Sequence, residues 1–207
     1  MERLYKGIRR FQESFFKKEE DFFKRLSNSQ DPDVLFITCA DSRVDPALVT
    51  QSKPGELFIL RNVGNIIPPH DALKDKNSTA AAIEFAVLVL KVSDIIVCGH
   101  SNCGAIKALN KDDMELDTMP HLKDWLKLAM PVKDIVSGSL AGGPPEEIQM
   151  ITEKENVLAQ IENIQTYPFV AQALKEGMLF LHGWYYDIGT GGMYAYIPNM
   201  DKFELIK

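Results

Sequence analysis

Two short runs rich in β-branched residues, Val34-Leu35-Phe36-Ile37 and Asp94-Ile95-Ile96-Val97, each lead into a cluster of reactive side chains. The first cluster is Cys39-Ala40-Asp41-Ser42-Arg43, the second His100-Ser101-Asn102-Cys103-Gly104. Apolar runs of this length that end in turn formers are the pattern of parallel strands buried on both faces. Each cluster therefore sits at the carboxyl end of a strand. That is the edge where open α/β sheets bind ligands, so two motifs distant in sequence can meet there. Two thiols and an imidazole match the three protein ligands of a catalytic zinc whose fourth tetrahedral position stays open.

With 207 residues, 45% of them hydrophobic, the chain can bury a substantial core and suits a single domain. A formal charge of -6 argues against a nucleic-acid surface, which needs clustered Lys and Arg. The apolar run Phe85-Ala86-Val87-Leu88-Val89-Leu90, flanked by Glu84 and Lys91, is far short of the roughly 20 residues of a membrane helix, so no membrane span is expected. The charged start, Met1-Glu2-Arg3, lacks the pattern of a signal peptide, and three Cys suit a reducing compartment. A cytoplasmic protein is expected.

Along the chain, Leu4, Ile8, Phe11, Phe15, Phe22 and Leu26 recur at helical spacing, which predicts an amphipathic arm over residues 1–28 with a break midway. Its ordinary fate is to pack on the chain's own core, and its Phe content offers the embrace of a partner subunit as the alternative. Asp45-Pro46 opens a helix, residues 56–61 read as a second strand, and Asn62-Val63-Gly64-Asn65 is the loop at its carboxyl end. Asn77 caps an Ala-rich crossover helix running to about Lys91. A short helix follows Gly104, then a polar loop at Lys111-Asp112-Asp113, a helix near Trp125 and a Pro/Gly connection over residues 142–145. Ile148, Ile151, Val157, Leu158, Ile161 and Ile164 mark a long helix, Pro168 opens another and Gly177 ends it. Two strands around Gly189-Thr190-Gly191-Gly192 form a terminal hairpin. The fold class is α/β: a parallel-centred mixed sheet flanked by helices, with an N-terminal helical arm and a C-terminal edge hairpin. The zinc-site core spans 33–109, helices fill 119–176, and edge strands occupy 178–207.

Cys98 lies inside an apolar run and is assigned to the core. Histidine as a residue type suits proton transfer near neutral pH, but the spacing of His70, His121 and His182 gives no link to the ligand set, so they take structural or exposed roles. Two thiolates cancel the charge of a zinc dication and leave it a weaker Lewis acid than three imidazoles would, so a helper beside it is expected. Asp41 can accept a hydrogen bond from the nucleophile or occupy the open position itself, and Arg43 can hold that carboxylate by a bidentate pair.

Cys39-Ala-Asp41-Ser-Arg43 with His100-Ser-Asn-Cys103-Gly104 resembles the β-class carbonic anhydrases. The likeness extends through Pro54-Gly-Glu-Leu-Phe-Ile-Leu-Arg-Asn62 and Leu181-His-Gly-Trp184, over nearly the whole chain, and is nearest to the branch of plant, bacterial and cyanobacterial enzymes. The resemblance implies one zinc per chain on Cys39, His100 and Cys103, with Asp41 a fourth ligand in a closed state. Asp41 with Arg43 is then the dyad that orients the nucleophile attacking carbon dioxide to give bicarbonate. Gln30 and the Gly104 amide would hold the product, and Phe58 and Val63 would wall the pocket. Relatives with these motifs also hydrolyse carbonyl sulfide or carbon disulfide, an alternative activity; a zinc-stabilised scaffold without turnover is an alternative of another class. This chain has Asn77-Ser78-Thr79 where the branch often has a Gly-rich stretch, and Phe85 in place of Tyr, which alters loop shape and pocket polarity. The arm and the sheet edge predict a homodimer or an assembly of dimers.

Overall fold

The computed structural model describes residues 1–72, 76–109, 113–139 and 143–207. By contact the chain forms two compact units, Met1–Asp31 and Pro32–Lys207. The polar loop expected at Lys111-Asp112 and the first residue of the connection at Gly142 lie outside the described residues.

The first unit is helical: α1 (Glu2–Arg10) continues as a π-helical turn over Phe11–Phe16, and α2 (Glu20–Leu26) follows. Its aromatic rings contact one another, with Phe23 5.2 Å from Phe16 and 5.7 Å from Phe11. None of residues 2–26 is buried, and Leu4, Ile8 and Phe15 are each about half exposed. Within this unit the stripe is therefore left without full cover. Two short helices have too little surface to enclose five Phe side chains, and an amphipathic pattern does not say which body covers it.

The second unit is built on a six-stranded sheet: β1 (Val34–Cys39), β2 (Leu57–Asn62), β3 (Asp94–His100), β4 (Phe180–Tyr186), β5 (Met193–Ile197) and β6 (Lys202–Leu205), in the order β2-β1-β3-β4-β5-β6. The first four strands in that order are parallel, and β5 and β6 add antiparallel. This is the expected parallel-centred α/β sheet. The terminal hairpin is β4–β5, but β4 lies inside the sheet and the edge belongs to β6. Asp201, at a left-handed φ of 49°, makes the tight turn that adds this last strand.

The helices are α3 (Pro46–Thr50), α4 (Ser78–Glu84, continued as a π-helical turn over Phe85–Leu90), α5 (Gly104–Ala108), α6 (Asp113–Leu116), α7 (Pro120–Leu126), α8 (Met130–Ser139), α9 (Pro145–Gln165) and α10 (Pro168–Lys175). The caps form as their residues dictate: Asp45 accepts from the Leu48 amide and Asn77 from the Ala80 amide. Both sheet faces are covered, Leu35, Ile37, Ile95 and Val97 joining one core and Phe36, Ile96 and Cys98 another. That double burial is why β1 and β3 read as unbroken apolar runs.

Candidate metal centre

Parallel register brings the two motifs to one edge. Thr38 pairs with Cys98, so Cys39 and His100 leave adjacent strands at nearly the same level, and Cys39 pairs with Asn62 on the other side. The crevice between the carboxyl ends of β1 and β3 is the position favoured for ligands in such sheets. Cys39 Sγ and Cys103 Sγ stand 3.9 Å apart, and the ligand atoms of Cys39, His100 and Cys103 all lie within 4.8 Å of one another. A tetrahedral ion with Zn–S bonds of about 2.3 Å separates two sulfurs by about 3.8 Å, so the spacing suits zinc.

The surroundings call for a cation. His100 is fully buried and its Nε2 has no hydrogen-bond partner among the described residues, while Nδ1 lies 3.0 Å from the Ser101 carbonyl. Such a second contact fixes the tautomer that presents Nε2 as a ligand. The thiols sit among Ile66, Ile106, Leu109, Leu126 and Ala129, a low-dielectric cluster. The contact from the Cys103 thiol holds Cys39 well below the usual thiol range, against the opposing effect of burial, and His100 and the Gly64 amide at 3.4 Å add to it. Cys103 is pushed up in turn, because one proton is shared between the two sulfurs. Burial would hold the His100 imidazole down, but Cys39 and Asp41 outweigh it and draw positive charge to the ring.

Asp41 and Arg43 form the expected pair. Arg43 Nε donates to Asp41 Oδ1 at 2.9 Å and Nη2 to Oδ2 at 2.7 Å, while the Arg43 amide adds a third bond at 2.9 Å. The guanidinium therefore keeps the Asp41 carboxyl far below the ordinary carboxylate range, although burial opposes it. Asp41 Oδ2 is 3.9 Å from His100 Nε2, so the carboxylate borders the ligand set while tied to Arg43. Arg43 Nη2 also donates to the Asn102 carbonyl at 3.0 Å and so joins the two motifs.

Val63 is 44% exposed at the end of β2, its carbonyl accepting from Trp125 Nε1 at 2.7 Å, and the next amide reaches Cys39. Gly104 is exposed with open space around it. Phe58 is not brought to the cluster within one chain: it pairs with Leu35, four residues before Cys39 and so about 13 Å along the strand, and its ring lies 5.8 Å from Phe85. Gln30 belongs to the first unit, exposed after α2. Cys98 is buried, its thiol pushed up to about 12, as suits a core residue. His182 hydrogen-bonds Asp94 at 2.7 Å, and His70 and His121 are exposed.

The residues matched by the carbonic anhydrase family profile, 34–193, enclose both motifs. A carbonic anhydrase from Synechocystis sp. is 43% identical over 203 residues, covering 98% of this chain and 73% of that protein. The chain belongs to the β-carbonic anhydrases. Among solved structures, the β-carbonic anhydrase CcaA superposes with a TM-score of 0.96 at 41% identity, covering 100% of this chain and 92% of that one. A tetrameric β-carbonic anhydrase from Sordaria macrospora gives 0.84 at 29% identity, with 94% and 95% covered. The general reaction of a β-carbonic anhydrase is the hydration of carbon dioxide.

Sequence reading missed the residues that hold this β-carbonic anhydrase site from behind. Arg61 donates to the Cys39 carbonyl at 3.0 Å and to the Asp41 carbonyl at 2.6 Å, pinning the first motif. On α9 a buried polar stripe runs beside the apolar one. Asn156 Nδ2 donates to the Gly64 carbonyl at 3.1 Å, and Gln160 Oε1 accepts from the Ile67 amide at 2.7 Å. Glu153 accepts from the Cys103 amide at 2.8 Å. Their helical spacing was visible, but a buried polar stripe has the same sequence pattern as a solvated face.

Proposed function

We propose that this chain catalyses the reversible hydration of carbon dioxide on one zinc ion held by Cys39, His100 and Cys103. The observation that carries this reading is the buried, partnerless His100 Nε2 between two thiols at zinc-like separation. Zinc bound there supplies a Lewis acid that makes water a nucleophile at moderate pH. Asp41, ionised and therefore an acceptor only, would take a hydrogen bond from water activated there and orient it. Arg43 keeps Asp41 charged and tied in place beside the ligand set; release of that pair is what would let Asp41 close the site as a fourth ligand. The carbon of carbon dioxide gains one oxygen from water, bicarbonate leaves, and one proton passes to solvent.

Val63 supplies apolar wall and the Gly104 amide a donor for the product, while Gln30 and Phe58 are kept as substrate contacts on the resemblance. Because Phe58 sits far along β2 from its own ligand set, its role requires a pocket shared with a second copy. That fits a homodimer or an assembly of dimers, as do the half-exposed Phe85, Leu88 and Val89. We further read residues 1–207 as one domain with residues 1–28 as its arm, working in the cytoplasm. Among the described residues no helix is long and apolar enough to cross a membrane.

Zinc analysis combined with stopped-flow hydration assays tests the function. One zinc per chain and rapid proton release from carbon dioxide are expected. Sulfide release from carbonyl sulfide or carbon disulfide without carbon dioxide turnover would reassign the substrate, and zinc without turnover of any of these gases would leave a scaffold.

A further inference from the structure

α9 carries a carboxylate that hydration as proposed does not use. Glu153 is 2% exposed, yet both its oxygens are engaged. Oε1 accepts from the Cys103 amide at 2.8 Å and from Gln149 Nε2 at 2.6 Å, and Oε2 accepts from the Tyr185 hydroxyl at 2.9 Å. A carboxylate is costly to bury without such donors, so the three bonds explain how it is tolerated. They do not explain why one donor is the backbone of a metal ligand.

Cys103 stands between β3 and α5, in a turn where Asn102 adopts a left-handed φ of 55°. The Cys103 carbonyl is taken by the Lys107 amide at 2.9 Å, as part of α5. Its amide is held by Glu153. The helix that presents Glu153 is seated on β3 at Gly99, immediately before His100. A Cβ at Gly99 would lie 2.7 Å from Val157 Cγ2 and 3.4 Å from the Glu153 carbonyl oxygen. One helix thus touches the strand of the imidazole ligand and grips the backbone of the second thiol.

We propose that Glu153 is a positioning residue for the metal centre, setting the Cys103 sulfur relative to His100 by holding the Cys103 amide against α9. The inference rests on the zinc reading above. It predicts that reach matters and charge does not. Glu153→Gln keeps the length, because its carbonyl oxygen can accept from Cys103 and Gln149 while the Tyr185 hydroxyl reverses to accept from the new amide. Glu153→Asp keeps the charge but is one methylene short of the Cys103 amide.

Zinc affinity, by competition with a chromophoric chelator, and the absorption spectrum of the cobalt-substituted protein are measured for both variants. Glu153→Asp is expected to hold zinc about 10–100-fold more weakly, with displaced cobalt bands, as outer contacts to metal ligands generally do. Glu153→Gln should stay within a few-fold of the unsubstituted protein in affinity and match its spectrum. Any other pattern overturns the proposal: both variants unchanged makes the carboxylate merely structural, and Glu153→Gln at least as impaired as Glu153→Asp makes its charge the active property. Unsubstituted protein that takes up neither zinc nor cobalt defeats the zinc reading itself, a result distinct from either.

Discussion

Asp41 and Arg43 act as one unit because each fixes what the other needs: a planar guanidinium donating from two nitrogens leaves the carboxylate one orientation and one protonation state. Asp41→Asn keeps all three ligands but turns an amide toward Arg43, so its orientation is lost. Zinc content should stay at one per chain while turnover drops about 100-fold in stopped flow. Retention of full activity would take the dyad out of the mechanism. At the opposite end of the strands, Asp94 meets His182 at 2.7 Å and Ser93 Oγ at 2.6 Å. Burial pushes the Asp94 carboxyl up, but the bonds from Ser93 and His182 outweigh it and its net position is lowered. A lowered folded-state value means stability that is present above the unfolded value near 3.9 and is lost as the pH falls through the folded one. Asp94→Asn should thus lower stability at pH 7 by up to about 1 kcal/mol, given its partial exposure, and the deficit should be smaller at about pH 3, below the unfolded value. Thermal melts at the two pH values check this. That Cys39, Asp41, Arg43, His100 and Cys103 gather at one sheet edge was legible, since each ends a strand or follows one closely. Arg61 was not, because an Arg in a strand carries no sign that two backbone carbonyls await it.

α9 contributes at a larger scale. Its apolar side packs on β3 and β4, where Gly99 and Gly183 let Val157 approach. Its polar side is buried too, with Asn156 and Gln160 fully enclosed. Gln160 Oε1 accepts from the Ile67 amide at 2.7 Å and from Asn163 Nδ2 at 3.1 Å, and its Nε2 donates to Asn156 Oδ1 at 3.0 Å. By area alone Gln160→Leu should stabilise, because it exchanges a polar for an apolar side chain of similar volume. The structure predicts the reverse, a loss of about 1–3 kcal/mol in urea unfolding, because a buried amide is left without an acceptor. A neutral or stabilising result would show that water or a local shift satisfies Ile67. Element type followed from periodicity, Pro and caps at Asp45, Asn77 and Pro168. Which side of α9 is buried did not, because periodicity distinguishes faces but not what lies opposite a polar one.

For the whole molecule, the surface that a single chain leaves bare decides the next expectation. Phe85 at 40% exposure, Val89 at 61% and Leu48 at 66% are apolar side chains without cover, and every residue from 2 to 26 is at least partly exposed. Sedimentation at micromolar concentration should give a dimer or a multiple of it, and a stable monomer would remove the shared-pocket role of Phe58. The α/β class, the strand ends and the candidate Cys39, His100 and Cys103 group were legible in the sequence alone, because burial on both faces and side-chain chemistry are local properties. Tertiary structure alone decided three further points. Strand register set Phe58 beside Leu35 rather than near Cys39. The seating of α9 at Gly99 brought Glu153 to the Cys103 amide. The Asp201 turn placed β6 at the sheet edge. Register and helix seating depend on which surfaces meet, and contacts such as Leu35 with Phe58 or Cys103 with Glu153 leave no periodic trace along one chain.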